Sequence, residues 1–243
     1  MVAAFRELDE NQETVFTVLT GQGRFFSAGA DIKAGVEVPP PESTVAQRKL
    51  FYMRKFSCEM ELFRSMIDHR KVFVLALNGP AVGGGAAWFQ GIADIIIAAE
   101  GAYMQAPFNS LGLVPEFGAA RSFAQSMGVH RANDFLMFGQ RYSVEQMQSW
   151  GLINRVFPSQ DFHAKMVSFL KEQLDVSDGK SMMETKRLQN EPLRAGRILA
   201  MFDATHALSE RLVEGAPIER FRRKTAQLSK ASKARHVNTK ASL

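Results

Sequence analysis

The sequence predicts an α/β fold that gives way to helices in its second half. Three observations carry this. Apolar runs of strand length, Thr14 to Thr20, Val72 to Leu77 and Asp94 to Ala99, alternate with helical patterns over the first hundred residues. The first two runs break into small residues, Phe25-Phe26-Ser27-Ala28-Gly29-Ala30-Asp31-Ile32 and Asn78-Gly79-Pro80-Ala81-Val82-Gly83-Gly84-Gly85. From Ala119 onward the apolar spacing is mainly helical. Strands alternating with helices and then helices alone describe an α/β core with a helical C-terminal region.

Taken in order, residues 2–9 have helical spacing, with Asn11 as a stop, and Thr14 to Thr20 is a strand. Gly21 to Asp31 forms a turn, and the three prolines of Val36 to Pro41 mark a mobile loop. Thr44 and Gln47 have the spacing of a capping box and open one long helix. Leu50, Phe51, Phe56, Met60, Phe63 and Ile67 give that helix an apolar stripe, read as core rather than pocket wall. The strand Val72 to Leu77 leads into the second glycine turn and a short helix over Gly85 to Gln90. Asp94 to Ala99 is a further strand, Tyr103 to Pro107 is extended, and Leu111 to Gly118 is a third loop. Helices follow around Ala119 to Met127, Arg131 to Phe138, Val144 to Trp150 and Phe162 to Leu174, interrupted by a strand-like Leu152 to Phe157. Ser181 to Asn190, Leu193 to Glu214 and Pro217 to Ala231 complete the chain as three helices.

Composition bounds the class. The 243 residues are 46% hydrophobic, enough to bury a core in one domain or one domain plus an appendage. A single cysteine, Cys58, excludes an intrachain disulfide and a cysteine zinc cluster, and its place in a helical pattern reads as a buried, inert thiol. No apolar run approaches the ~20 residues that cross a bilayer, so no membrane partner is expected. The net charge of +5 conceals an asymmetry. Eight basic residues and no acidic ones follow Glu219, leaving 22 basic against 25 acidic residues, a balance of −3, in the rest. The tail lacks interleaved aromatics, so nucleic acid is not an expected partner; a solvated end is the first reading and contact with phosphates the second.

A chain that leaves a buried strand through Gly and Ala brings its backbone N–H groups close to a ligand. Two such turns can aim two donors at one oxygen, the minimum for an oxyanion hole. The FSAGADIK segment, followed about fifty residues later by NGPAVGGG, then Ala93-Asp94-Ile95-Ile96-Ile97-Ala98 and Leu111-Gly112-Leu113-Val114-Pro115, resembles the enoyl-CoA hydratase/isomerase (crotonase) superfamily over residues 13–225. The resemblance implies a spiral of ββα turns over residues 1–185. It also implies a C-terminal helical oligomerisation region with a basic tail over 186–243, forming trimers or dimers of trimers. Superfamily members begin with a β-hairpin and an Asn-Arg-Pro-like loop. This chain starts inside the helix that follows, which implies an open sheet edge and a diminished surface for the CoA adenine and phosphates.

The same resemblance matches Ala30 and Gly84 to the two oxyanion donors. It implies a substrate lying against Ala28, Gly29, Ala30, Asp31, Ile32, Gly84 and Phe108. The helix near Gly85 would add its positive end. The positions that carry the two carboxylates of hydratases are Ala87 and Phe108, which transfer no proton, so water addition is not expected. Glu116 falls where the peroxisomal-type Δ3,Δ2-enoyl-CoA isomerases carry their catalytic glutamate, and Ala106-Pro107-Phe108 resembles that subgroup too. Desolvation between Val114, Pro115 and Phe117 would raise its pKa and suit it to take and return a proton.

The expected substrate is therefore an acyl-CoA thioester, with no metal and no separate cofactor. No HExxH, Walker A or GxGxxG motif is present. Asp31 is read as fixing its own turn, Lys33 as a surface residue ahead of a phosphate contact, and the five histidines carry no chemistry. Met53, Phe56, Trp88, Met104 and Phe108 are candidate acyl-tunnel or core residues. Another crotonase-type acyl-CoA enzyme and a non-catalytic module of the same fold stand as alternatives. The C-terminal Ala241-Ser242-Leu243 shares two features with a peroxisomal Ser-Lys-Leu signal but lacks its basic centre, and peroxisome is expected ahead of mitochondrion or cytoplasm.

Overall fold

The computed structural model describes residues 1–31 and 34–227. The chain runs α1 (Val2–Glu10), β1 (Phe16–Thr20), α2 (Val45–Lys55), α3 (Ser57–Ile67), β2 (Val72–Leu77), β3 (Ala81–Val82), β4 (Ile95–Ala99) and β5 (Tyr103–Gln105). It continues through α4 (Ala119–Met127), α5 (Val129–Phe138), β6 (Arg141–Ser143), α6 (Val144–Ser149), β7 (Arg155–Phe157), α7 (Phe162–Val176) and α8 (Gly179–Glu214). A last helix, α9, covers 216–227. Among these residues no helix is long and apolar enough to cross a membrane.

Four strands form a fully parallel sheet in the order β1-β2-β4-β7. Its centre is β2, buried at every position. Because side chains alternate across a strand, the continuous apolar run VFVLAL feeds two cores. Phe73, Leu75 and Leu77 join the larger core with Phe63, Phe123 and Phe135. Val72, Val74 and Ala76 face the smaller one, where Ile97 and Ala99 of β4 meet Phe162, Met166 and Leu170. Those last three, at intervals of four, are one stripe of α7, which covers that face of the sheet. β3, β5 and β6 make a second sheet, β3 parallel to β5 and β5 antiparallel to β6.

Several local expectations need correction. The helix opened by the Thr44–Gln47 capping box is two helices, because Phe56 leaves helical dihedrals (φ −89, ψ 3) and turns its ring toward Phe117. Leu50, placed on its apolar stripe, is 60% exposed. Cys58 is exposed, not buried, since it lies in the first turn of α3 just after that break. The stretch read as a helix over Gly85 to Gln90 is a single 3-10 turn, Gly83–Ala86, too short to carry much of a dipole. Pro192 does not end a helix: α8 runs 36 residues through it. A proline removes one hydrogen bond, here to the carbonyl of Leu188, a residue 63% exposed, where water can replace it. The strand at 152–157 shrinks to Arg155–Phe157, and β3 and β6, two and three residues long, were too short for periodicity to register.

α8 crosses the expected boundary at 185/186 without interruption and packs along α2, α3, α4 and β2. A buried polar chain fastens it. Lys186 Nζ donates to Asp94 Oδ2 (2.7 Å) and to the Lys71 carbonyl (2.6 Å); Asn190 donates to Asp94 Oδ1 (3.0 Å), and Arg197 to Asn190 (2.9 Å). Asp94 Oδ2 also accepts the Phe73 N–H at 2.7 Å, so one carboxylate joins the start of β2 to the C-terminal helix. Nearby, buried His69 contacts Thr17 Oγ1 at 2.7 Å. Its Nδ1 lies 3.2 Å from Asp9 Oδ1 without hydrogen-bond geometry. Burial, aided by the positive charge of Lys186, pushes the imidazole pKa down to about 4, so it is neutral at pH 7.

Candidate active site

The two glycine turns are stitched to each other. The Phe26 and Ser27 N–H groups donate to the Pro80 carbonyl (3.0 and 3.3 Å), and the Val82 N–H to the Ser27 carbonyl (2.9 Å). Asn78, ending β2, accepts the Gly21 N–H and donates to the Gly23 carbonyl, both at 2.9 Å, and so pins the exit of β1. Glycine is required where the turns touch. Gly29 has φ +85, and a Cβ there would lie 3.2 Å from the Val82 carbonyl. Gly84 lies under the Trp88 indole, whose ring atoms would be 2.7 Å from an added Cβ.

A cavity of about 310 Å³ opens between these turns and the third loop. Ala28, Gly29 and Ala30 line it from the first turn, Gly84 and Gly85 from the second. Trp88, Phe89, Pro107, Phe108, Leu111 and Leu113 supply apolar wall, Glu116 an acid, and Phe221 of α9 an aromatic cover. Among the described residues the backbone N–H groups of Ala30 and Gly84 donate to no protein acceptor. Of the residues expected at the site, Ala28, Gly29, Ala30, Gly84, Phe108 and Glu116 therefore share one cavity. Asp31 does not line it; its carbonyl accepts the Ala34 N–H at 3.2 Å. Ile32 and Lys33 lie outside the described residues. Trp88 and Phe108 belong to the cavity wall, whereas Met104 is fully buried core, and Met53 and Phe56 stand elsewhere.

Glu116 is held by two features. Phe117, buried and in the left-handed region (φ 46), and Gly118 (φ 81) turn the chain sharply between the acid and α4. That backbone is uncommon for a bulky residue, and packing holds it there: the Phe117 ring stacks on Phe63 at 4.5 Å and meets Trp88 edge-on at 5.1 Å. Trp88 Nε1 then donates to Glu116 Oε2 at 2.5 Å. Burial pushes the Glu116 carboxyl from 4.5 up to about 7; the indole N–H opposes this and the negative charge of Glu59 adds to it. Such a carboxyl exchanges a proton at neutral pH. The positions Ala87 and Phe108 are buried and hold no acid. Sequence reasoning placed Trp88 at the site without its bond to Glu116; a buried indole N–H needs an acceptor, which was the available signal. Phe221, more than a hundred residues beyond the third loop, had none.

A larger cavity of about 530 Å³ lies elsewhere, between α1, the α3–β2 connection and α8. Its charges neutralise one another in pairs, Arg70 with Asp9 and Arg194 with Asp68, and no residue of the expected site lines it. Among the described residues no group of three or more metal-ligating side chains occurs.

The chain has relatives among known proteins. The chain is 36% identical over 158 residues to a Delta(3,5)-Delta(2,4)-dienoyl-CoA isomerase of Pyricularia oryzae, a match spanning 63% of the chain and 56% of that protein. The chain thus spans little more than half of that relative's length. It is 29% identical over 226 residues to the 3,2-trans-enoyl-CoA isomerase of Saccharomyces cerevisiae, covering 88% of the chain and 79% of the yeast protein. Among solved structures, Pseudomonas aeruginosa OdaA superposes with a TM-score of 0.77 at 26% identity, over 90% of this chain and 84% of that one. A sequence model of the enoyl-CoA hydratase/isomerase family matches residues 1–211. That match spans most of the α/β core and its helical end: the chain belongs to the enoyl-CoA hydratase/isomerase family.

Proposed function

We propose that the protein is a Δ3,Δ2-enoyl-CoA isomerase. The observation that carries this reading is a single acid among the described residues, Glu116, lining the same cavity as Ala30 and Gly84, whose N–H groups donate to no acceptor among those residues. In the proposed reaction the thioester oxygen of a 3-enoyl-CoA accepts from both N–H groups. Glu116 takes a proton from C2, and the electron pair spreads over the thioester and the C3–C4 double bond as a dienolate. The protonated carboxyl then delivers its proton to C4, leaving the double bond between C2 and C3. One acid serves both positions, so the reaction needs no second carboxylate, no metal and no separate cofactor; coenzyme A arrives with the substrate. The hydratase route is disfavoured because Ala87 and Phe108, buried at the corresponding positions, cannot handle a proton.

Fatty-acid β-oxidation in the peroxisome and self-association as a homotrimer or dimer of trimers belong to the same proposal. Val129, Met137 and Phe138 of α5 are exposed, the last at 70%, which supports a contact between copies. The proposed signal Ala241-Ser242-Leu243 lies outside the described residues. Purified protein given a 3-enoyl-CoA should generate the absorbance of a conjugated enoyl thioester, and Glu116→Gln should lower kcat by ~10²–10⁴-fold. Full activity in Glu116→Gln refutes the assignment. A 3,5-dienoyl-CoA offered in parallel tests the activity for which the Pyricularia relative is named.

A further inference from the structure

Glu59 has no task in the reaction just described, yet it is placed as though it had one. It lies on α3 between Phe56 and Phe63, at spacings of three and four, and so shares a helix face with both. Phe63 stacks on Phe117 and meets Trp88 at 6.0 Å; Phe56 meets Phe117 at 6.3 Å. These are the rings that enclose Glu116. Glu59 therefore shares the α3 face that carries two of these rings, and its negative charge is felt at Glu116. It does not line the substrate cavity, so it does not touch the substrate. Its Oε2 is enclosed and has no hydrogen-bond partner among the described residues. An enclosed, unpartnered carboxylate oxygen is costly, and a fold that merely needed a helix residue here would not require one.

We propose that two carboxyls govern the proton of this site: Glu116 carries it, and Glu59 is a positioning residue that acts on Glu116 through its charge. Many charged groups on the neighbouring helices are engaged with other partners. On α3 itself Glu61 pairs with Arg6, and Arg64 with Asp68. On α2 Lys55 pairs with Glu37 and Lys49 with Glu210. Arg121 of α4 donates to the Gly196 carbonyl, and on α8 Arg197 donates to Asn190 and Arg211 to the Gly112 carbonyl and Glu214. Arg220 of α9 donates to the Ser110 carbonyl. Glu59 is the charged group whose field opposes ionisation of Glu116. A nearby negative charge disfavours the ionised form of a carboxyl. The consequence is a carboxylate at 116 that is a stronger base than burial behind Trp88 alone would make it, at the expense of being ionised less often near pH 7.

This inference deepens the isomerase reading and its catalytic meaning rests on that reading, but its test does not need turnover. The chain has two tryptophans, and Trp88 donates to Glu116. In a Trp150→Phe background, Trp88 fluorescence followed from pH 5 to 9 reports the Glu116 carboxyl, and Glu116→Gln in the same background must abolish the transition. Glu59→Gln is expected to move the midpoint to lower pH. Glu59→Asp, which withdraws the charge by one methylene, should move it less in the same direction and serves if the glutamine variant fails to fold. An unmoved midpoint in a folded Glu59 variant overturns the proposal. In the pH profile of kcat/KM for 3-enoyl-CoA isomerisation, Glu59→Gln should shift the acid limb down together with the fluorescence midpoint and lower the rate at high pH, as a weaker base must. If no isomerase activity exists while the fluorescence shift is present, the proposed function fails and the carboxyl pair stands.

Discussion

Replacing Glu116 by Gln should lower the proposed activity and also relieve a folding cost that builds up between pH 4.5 and 7. A carboxyl raised from 4.5 to about 7 makes its ionised form unfavourable in the folded state. At ~1.4 kcal/mol per pH unit this amounts to about 3 kcal/mol. The sign is fixed by proton counting. Between pH 4.5 and 7 the unfolded chain has lost this proton and the native state keeps it, so native stability falls through that window and is flat above it. His69 works in the opposite sense over nearly the same range. With its pKa lowered from 6.5 to about 4, the native state resists a proton that the unfolded chain accepts, so stability is gained as pH rises from 4 to 6.5. The two contributions are of similar size, and in the native protein they offset one another. Glu116→Gln removes one of them. Urea denaturation from pH 4.5 to 8, at fixed protein concentration, should show variant and wild type diverging by about 3 kcal/mol as pH rises, with the variant the more stable. Any constant cost of burying the amide cancels in that comparison. Parallel pH dependence in the two proteins would mean that the carboxyl is not held away from water, and the proton-transfer argument would lose its basis.

Other outcomes follow from the same contacts. Trp88→Phe removes the donor that favours the ionised form of Glu116, so the acid limb of the kcat/KM profile should move to higher pH, opposite to Glu59→Gln, with the loss larger at pH 6 than at pH 9. Gly84→Ala sets a methyl group 2.7 Å from the Trp88 ring; the indole must give way, with a cost of roughly 1–3 kcal/mol in urea denaturation and a fall in kcat that exceeds any change in KM. Lys186→Met leaves the Asp94 carboxylate, only partly exposed, without its cation and should cost about 3–5 kcal/mol, read as a lowered denaturation midpoint.

The parts of this molecule that were legible in the sequence are those where backbone chemistry and side-chain type coincide. A six-residue run of β-branched and apolar residues could only be an interior strand, and Val72–Leu77 is buried throughout. The small residues at Ala28 to Ala30 and Gly83 to Gly85 announced a close approach of two turns because larger ones would not fit. Glu116 stood out as a lone acid in an apolar loop. What escaped depended on partners distant in sequence. Phe56 ends α2 without glycine or proline, for the sake of a contact with Phe117 sixty-one positions on. Two helices, Ser181 to Asn190 and Leu193 to Glu214, were expected where tertiary packing carries α8 through Pro192. The exposure of Cys58 and the place of Phe221 in the cavity wall could not be seen from local patterns, and neither could the enclosed Glu59 Oε2 on α3.

The length of α8 has a bearing on how the protein is made. At ~1.5 Å per residue its 36 residues form a beam of about 54 Å. It is this beam that the acid-bearing loop leans on: Gly118 sits against Ala200 and Met201, and Arg211 holds the Gly112 carbonyl. The ribosome therefore releases residue 116 long before the element that steadies it. A nascent chain stopped ahead of Gly179 would already contain both glycine turns and the strands β1 to β7, yet its glutamate would lack a foundation, and competence would arrive only as the last quarter or so of the polypeptide emerges.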